Sequence, residues 1–192
     1  LALRPLLAYQ RGMDRVSDGV GSVSKYLVLA VVVVGFGNAL LRYIGRFTRT
    51  QLASNTYIEL QSYLYATLFL LAFAYILKNG INVRVDFWFA DRSDRTRAAI
   101  DFVGHLLGLL PFCVLGMLVV YPSVMTSWAT NEGSPDPGGL PRAPLKSMLL
   151  VGLALLFLQG LAEMVKLVAR LMGRSDLVVV AEESHAPPVR AE

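Results

Sequence analysis

Between Glu59 and Lys78 the chain runs for 18 residues without a charge, LQSYLYATLFLLAFAYIL. A run of about twenty predominantly apolar residues, wound as a helix, matches the hydrocarbon thickness of a bilayer. The stretch is therefore expected to be a membrane-spanning helix over about 55–77. Its aromatic residues support those limits: Tyr57, Tyr63 and Tyr65 lie near one end and Phe73 and Tyr75 near the other. Amphipathic rings favour the headgroup level.

The rest of the chain agrees with a lipid solvent. Only 17% of its residues are charged and 55% are hydrophobic, with a mean hydropathy of +0.52; soluble domains average about 25% charged. The net charge of +4 is small and dispersed, and no basic run is interleaved with aromatics as in a nucleic-acid groove. One cysteine, Cys113, excludes an intrachain disulfide or a cysteine-based metal cluster. Two histidines, His105 in an apolar segment and His185 in a polar tail, argue against a bis-histidine haem.

Three further apolar segments flank the first. The fold class expected is an all-α integral membrane protein, with four transmembrane helices plus an N-terminal amphipathic interfacial helix. The spans fall at about 26–47, 55–77, 98–121 and 145–167, within a membrane domain of residues 25–172. Residues 173–192 read as a disordered cytoplasmic tail.

In residues 1–24, Leu3, Leu6, Leu7, Met13, Val16, Val20 and Val23 recur near helical spacing with Arg4, Arg11, Asp14 and Arg15 between them. That pattern suits a helix lying on an anionic leaflet; a solvated leader is the alternative. In the first span, Gly35, Asn38 and Arg42 share a face, and Arg46 roughly continues it. Pro111 should kink the third span, near whose start Asp101 and His105 lie four apart. Those two could form a proton relay, or simply satisfy each other or bind headgroups. The loop from Pro122 to Pro144 is rich in Pro and Gly and carries Trp128 as an aromatic anchor. The fourth span bears Gln159, Glu163 and Lys166 at spacings of four and three.

With four spans, the termini and the loop between spans two and three share one side. That side holds all of the 18 basic residues except Arg42, Arg46, Arg49, Arg142 and Lys146. The positive-inside rule places both termini in the cytoplasm.

Several separated stretches now form one pattern: N-x-x-x-R-Y at Asn38, Arg42 and Tyr43; Glu59, Leu60 and Gln61 opening the second span; NVRVD from Asn82 to Asp86; PGGLP from Pro137 to Pro141, followed by Lys146; and LLFLQG from Leu155 to Gly160. In order and spacing, over roughly residues 25 to 170, they resemble the small membrane subunit of tripartite ATP-independent periplasmic (TRAP) transporters, the DctQ type. Asn82 stands where this family often has His, and the Trp often found ahead of the second-span acid is replaced around Tyr57.

The resemblance implies a multi-pass protein of the bacterial cytoplasmic membrane. It also implies two partners, a large permease subunit that carries the transport site and a periplasmic solute-binding protein that delivers an organic acid. Uptake in the family is driven by a cation gradient, commonly Na⁺, and the coupling ion belongs to the large subunit. No catalytic, cofactor or metal residue is expected in this chain. The residues expected to serve structure or partner contact are Asn38, Arg42, Arg46, Glu59, Gln61, Arg84, Asp86, Trp128, Pro141, Lys146, Gln159 and Glu163. Arg42 or Arg46 should pair with Glu59, and the two polar stripes should face a partner. Close helix packing is expected at Gly35, Gly37, Gly104, Gly108 and Gly152. Two other readings stand beside this one: a small homo-oligomeric channel lined by the Asn38 and Arg42 face, and a lipid-modifying membrane enzyme.

Overall fold

The computed structural model describes residues 3–81 and 92–173, and all regular structure among them is helical. Helix α1 spans Leu3–Thr48 and α2 spans Asn55–Asn79. Helix α3, Asp94–Gly104, passes through a π-helical turn, His105–Leu109, into α4, Leu110–Ala129. Helix α5 spans Ala143–Leu171. Four helical stretches are long and apolar enough to cross a membrane: Arg4–Thr48, Asn55–Asn79, Asp94–Ala129 and Ala143–Leu171.

The helix ends follow from local chemistry. Ser54 precedes α2, and its Oγ accepts from the Thr56 amide at 3.2 Å. At the other end Gly80 takes φ +62°, with the Gly80 amide bonded to Leu77 O and the Ile81 amide to Ile76 O. That is the paired bonding of a Schellman motif, which wants a left-handed residue just past the helix. Asn131, φ +47°, does the same after α4, with its amide on Trp128 O and the Glu132 amide on Ser127 O. Helix α3 is capped by Ser93, whose side chain accepts from the Thr96 amide.

The N-terminal amphipathic segment and the first span are carried by one continuous 46-residue helix, residues 3–48, despite Gly12, Gly19 and Gly21. The helix that carries the third span continues through the first eight residues of the expected loop, Pro122 to Ala129. Pro111 has no amide to donate to the turn before it. That turn is wound as a π-helix, with the Leu110 amide bonded five residues back to His105 O. One widened turn absorbs what the proline disturbs.

The chain divides into two compact units. The first draws on Leu1–Asp18, Phe73–Val114 and Leu155–Glu192, the second on Gly19–Ala72 and Leu115–Ala154. Neither has the core of a soluble protein. In the first unit Gln10, Ser17, Gln159 and Lys166 are buried beside Met13, Ala74, Ala98, Cys113, Ala162 and Leu167. In the second, Ser24, Asn38 and Ser127 are buried with Val124, Ala143 and Leu153. The bulky apolar residues point outward instead, Val33, Phe36, Leu107 and Val119 among them. Such a surface would aggregate in water and is natural where the solvent is hydrocarbon.

Small residues give backbones room only at some of the expected positions. A Cβ on Gly152 would stand 2.8 Å from Leu70 Cβ and 3.1 Å from its carbonyl oxygen, so α2 and α5 touch there through the missing side chain. Gly35 is likewise covered, by the Gln61 side chain. Gly37, Gly104 and Gly108 have nothing within 4 Å of a Cβ and make no such contact.

Candidate functional site

The first unit is organised around Gln159, which is fully buried on α5. Its Nε2 donates to Asp14 Oδ1 at 3.0 Å and to Glu163 Oε1 at 2.9 Å, and its Oε1 accepts from Ser17 Oγ at 2.7 Å. Both amide protons and the carbonyl are thus used. Lys166, about two turns further on, donates to Asp14 Oδ1 at 3.0 Å and Glu163 Oε1 at 2.7 Å. Gln10 Nε2 closes the set on Asp14 Oδ2 at 2.8 Å, and Tyr9 Oη donates to the Leu158 carbonyl. The arrangement follows from helix geometry: residues 10, 14 and 17 of α1 lie on one face, as do 159, 163 and 166 of α5.

The N-terminal segment buries Gln10 and Ser17 together with Met13, and Asp14 in part, while Arg11 and Arg15 are exposed and Leu6 and Val16 about half exposed. The network corrects the expectation that the Gln159 and Glu163 stripe awaits a partner. Its mates are in its own chain, more than 140 residues away.

The second unit holds a clamp on the loop between α4 and α5. Glu59, in the first turns of α2, accepts from Ser134 Oγ and, at 2.5 Å, from the Leu140 amide. Thr56 Oγ1 donates to Gly138 O, Asn55 Nδ2 to Pro137 O, and Tyr63 Oη to Leu140 O and Pro141 O at 3.4 and 3.3 Å. The PGGLP stretch is thus gripped, carbonyl by carbonyl, by one face of α2. Glu132 ties the loop to α5: Lys146 Nζ reaches its Oε2 at 2.5 Å and Arg142 its Oε1 at 3.8 Å. The bond from Lys146 holds the Glu132 carboxyl below the usual carboxylate range. Trp128 Nε1 donates to Ser147 Oγ at 2.8 Å, so this half-exposed ring is fixed to α5 from the end of α4.

The family model described as tripartite ATP-independent periplasmic transporters, DctQ component, matches residues 31–170. The chain belongs to the DctQ family. No curated protein and no solved structure matches it. This DctQ chain is accordingly a component of a TRAP transporter and a multi-pass membrane protein. The matched segment includes the whole clamp on the loop between α4 and α5 and the α5 half of the polar network. Gln10, Asp14 and Ser17, which complete that network, precede it.

The remaining expected residues fare differently. Arg42 and Arg46 are exposed, and among the described residues neither pairs with Glu59. Ser134 and the Leu140 amide occupy that carboxylate instead. Asn38 is buried at 7% exposure with its Oδ1 unpartnered, whereas Arg42 is outside, so the two do not form one lining face as the channel reading requires. His105 Nδ1 donates to the Asp101 backbone carbonyl at 2.7 Å, the carbonyl being able only to accept. Arg84 and Asp86 of NVRVD lie outside the described residues. Sequence reasoning missed Asp14 and Ser17 as network members and Ser134 as the Glu59 partner. A polar spacing of 10, 14 and 17 matching 159, 163 and 166 was the available signal for the first two; none existed for Ser134.

Proposed function

We propose that this DctQ chain is the non-catalytic scaffold of a TRAP-type importer. It stands in the bacterial inner membrane beside a large permease, to which a periplasmic binding protein delivers an organic acid under a cation gradient, commonly Na⁺. The observation that carries this reading is how the chain uses its buried polar groups. Gln10, Ser17, Gln159 and Lys166 are all bonded to other residues of the same chain, and all but Gln10 tie α1 to α5. Polar groups that line a path must exchange partners with what passes; these are committed to holding helices in register. The outer clamp supports the same role, since it fixes the PGGLP loop to α2 as a firm surface. Both termini on the cytoplasmic side would turn that loop toward the periplasm, where a binding protein docks.

The test is reconstitution. Liposomes with the chain alone, with the candidate permease alone, and with both are given the loaded binding protein and an inward Na⁺ gradient. Uptake only with both membrane chains is the expected result. Uptake by the small chain alone would refute the scaffold role and favour the channel.

A further inference from the structure

A second cavity in the first unit has a different character from the polar network it adjoins. It measures about 270 Å³, and every residue lining it is polar or charged: Arg11 and Arg15 with Gln10 and Asp14 from α1, Lys78 and Asn79 from the end of α2, and Lys166 from α5. Four cations converge there. The acids nearby are already engaged: Asp14 and Glu163 hold Lys166, and Asp18 holds Lys78. Among the described residues no carboxylate pairs with Arg11 or Arg15.

These two arginines are four apart on α1, where like charges repel unless something of opposite sign lies between them. Arg11 is also oriented for a ligand. Its Nε donates to the Leu7 carbonyl at 3.2 Å, which fixes the guanidinium plane and leaves the two terminal nitrogens free. Such a fork binds phosphate oxygens in a bidentate manner. Asn79 Nδ2 donates one proton to Tyr75 O and keeps a second for an anion in the cavity.

We propose that this cavity binds the phosphate of an anionic phospholipid, held between Arg11 and Arg15. A free inorganic phosphate offers the same oxygens, but one observation favours the lipid: the cavity sits where α2 ends, at Asn79, the last residue of a helix of spanning length, which is the level at which headgroup phosphates lie. The proposal concerns the chain's hold on the membrane and does not depend on the transporter reading.

The experiment titrates the purified full chain in detergent with phosphatidylglycerol and with phosphatidylcholine, and counts bound lipid by native mass spectrometry. Phosphatidylglycerol should be retained at least tenfold better than phosphatidylcholine, and Arg11→Gln/Arg15→Gln should remove that preference. Arg46→Gln/Arg49→Gln, with the same loss of charge elsewhere, should keep it. Millimolar inorganic phosphate should not displace the lipid. Equal phosphatidylglycerol binding by wild type and the Arg11/Arg15 variant would overturn the proposal, as would equal loss in the Arg46/Arg49 variant. Full displacement by inorganic phosphate would assign the cavity to a free anion and overturn the lipid. Retention of the Cys113 burial described below shows that each variant is folded.

Discussion

Lys166→Met removes the cation that bridges Asp14 and Glu163 while keeping the length and apolar stem of the side chain. Lys166 is 5% exposed, and the two carboxylates are 14% and 15% exposed at the side chain, so water cannot readily replace what is lost. Breaking a buried pair by deleting one partner costs about 3–5 kcal/mol. For a chain of this size each kcal/mol moves the melting temperature by about 2–4 °C, which gives a drop of about 6–20 °C. The protein carries its own reporter: Cys113 is the sole cysteine and has 0% exposure, so a thiol-reactive fluorogenic dye lights up only on unfolding. Melts in detergent should show the drop for Lys166→Met. The triple variant Asp14→Asn, Glu163→Gln, Lys166→Met should recover at least half of it, because a neutral hydrogen-bonded set does not strand charge. A Lys166→Met melt within 2 °C of wild type, or a triple variant weaker than the single, would refute the claim that charge compensation in this network holds α1 to α5.

Two further outcomes test other contacts. Gly152→Ala should destabilise by about 1–3 kcal/mol through the clash with Leu70, while Gly104→Ala, which meets open space, should change the melt by no more than about 0.5 kcal/mol; equal effects would remove the argument for close α2–α5 contact. Glu132 is held below its ordinary value by Lys146, so its stabilising bond is present above the unfolded-state pKa of about 4.3 and lost as pH falls through the lower folded-state value. The difference in melting temperature between wild type and Lys146→Met should therefore be present at pH 7 and vanish in strong acid; a difference that grows toward low pH would contradict the pairing.

Much of the fold was legible because hydropathy reports directly on the solvent a helix must meet. The uncharged run between Glu59 and Lys78 became α2, ended by Gly80. The continuity of α1 was not legible. Gly12, Gly19 and Gly21 weaken a helix in water, yet here Gln10, Met13 and Ser17 pack against protein across the same turns. Which face of that segment turned inward was also hidden, since the amphipathic pattern alone does not say whether the polar or the apolar side meets lipid. The partner of Glu59 was misjudged for a related reason. An arginine at the end of the neighbouring helix is the obvious mate, but a serine hydroxyl and a backbone amide 75 and 81 residues away reach it first. Backbone donors in a distant loop leave no mark in composition or periodicity.

The polar network also sets an order of events during synthesis. Asp14 and Ser17 are made 142 to 152 residues before Gln159 and Lys166. Until α5 leaves the ribosome, a carboxylate and a hydroxyl on α1 lack the bonds they make with it in the finished protein. At synthesis rates of about 5–20 residues per second, that interval lasts roughly 7–30 s. A nascent chain truncated before Gln159 would present Asp14 without the cation that Lys166 supplies, and the bond between α1 and α5 forms only once both helices have been made.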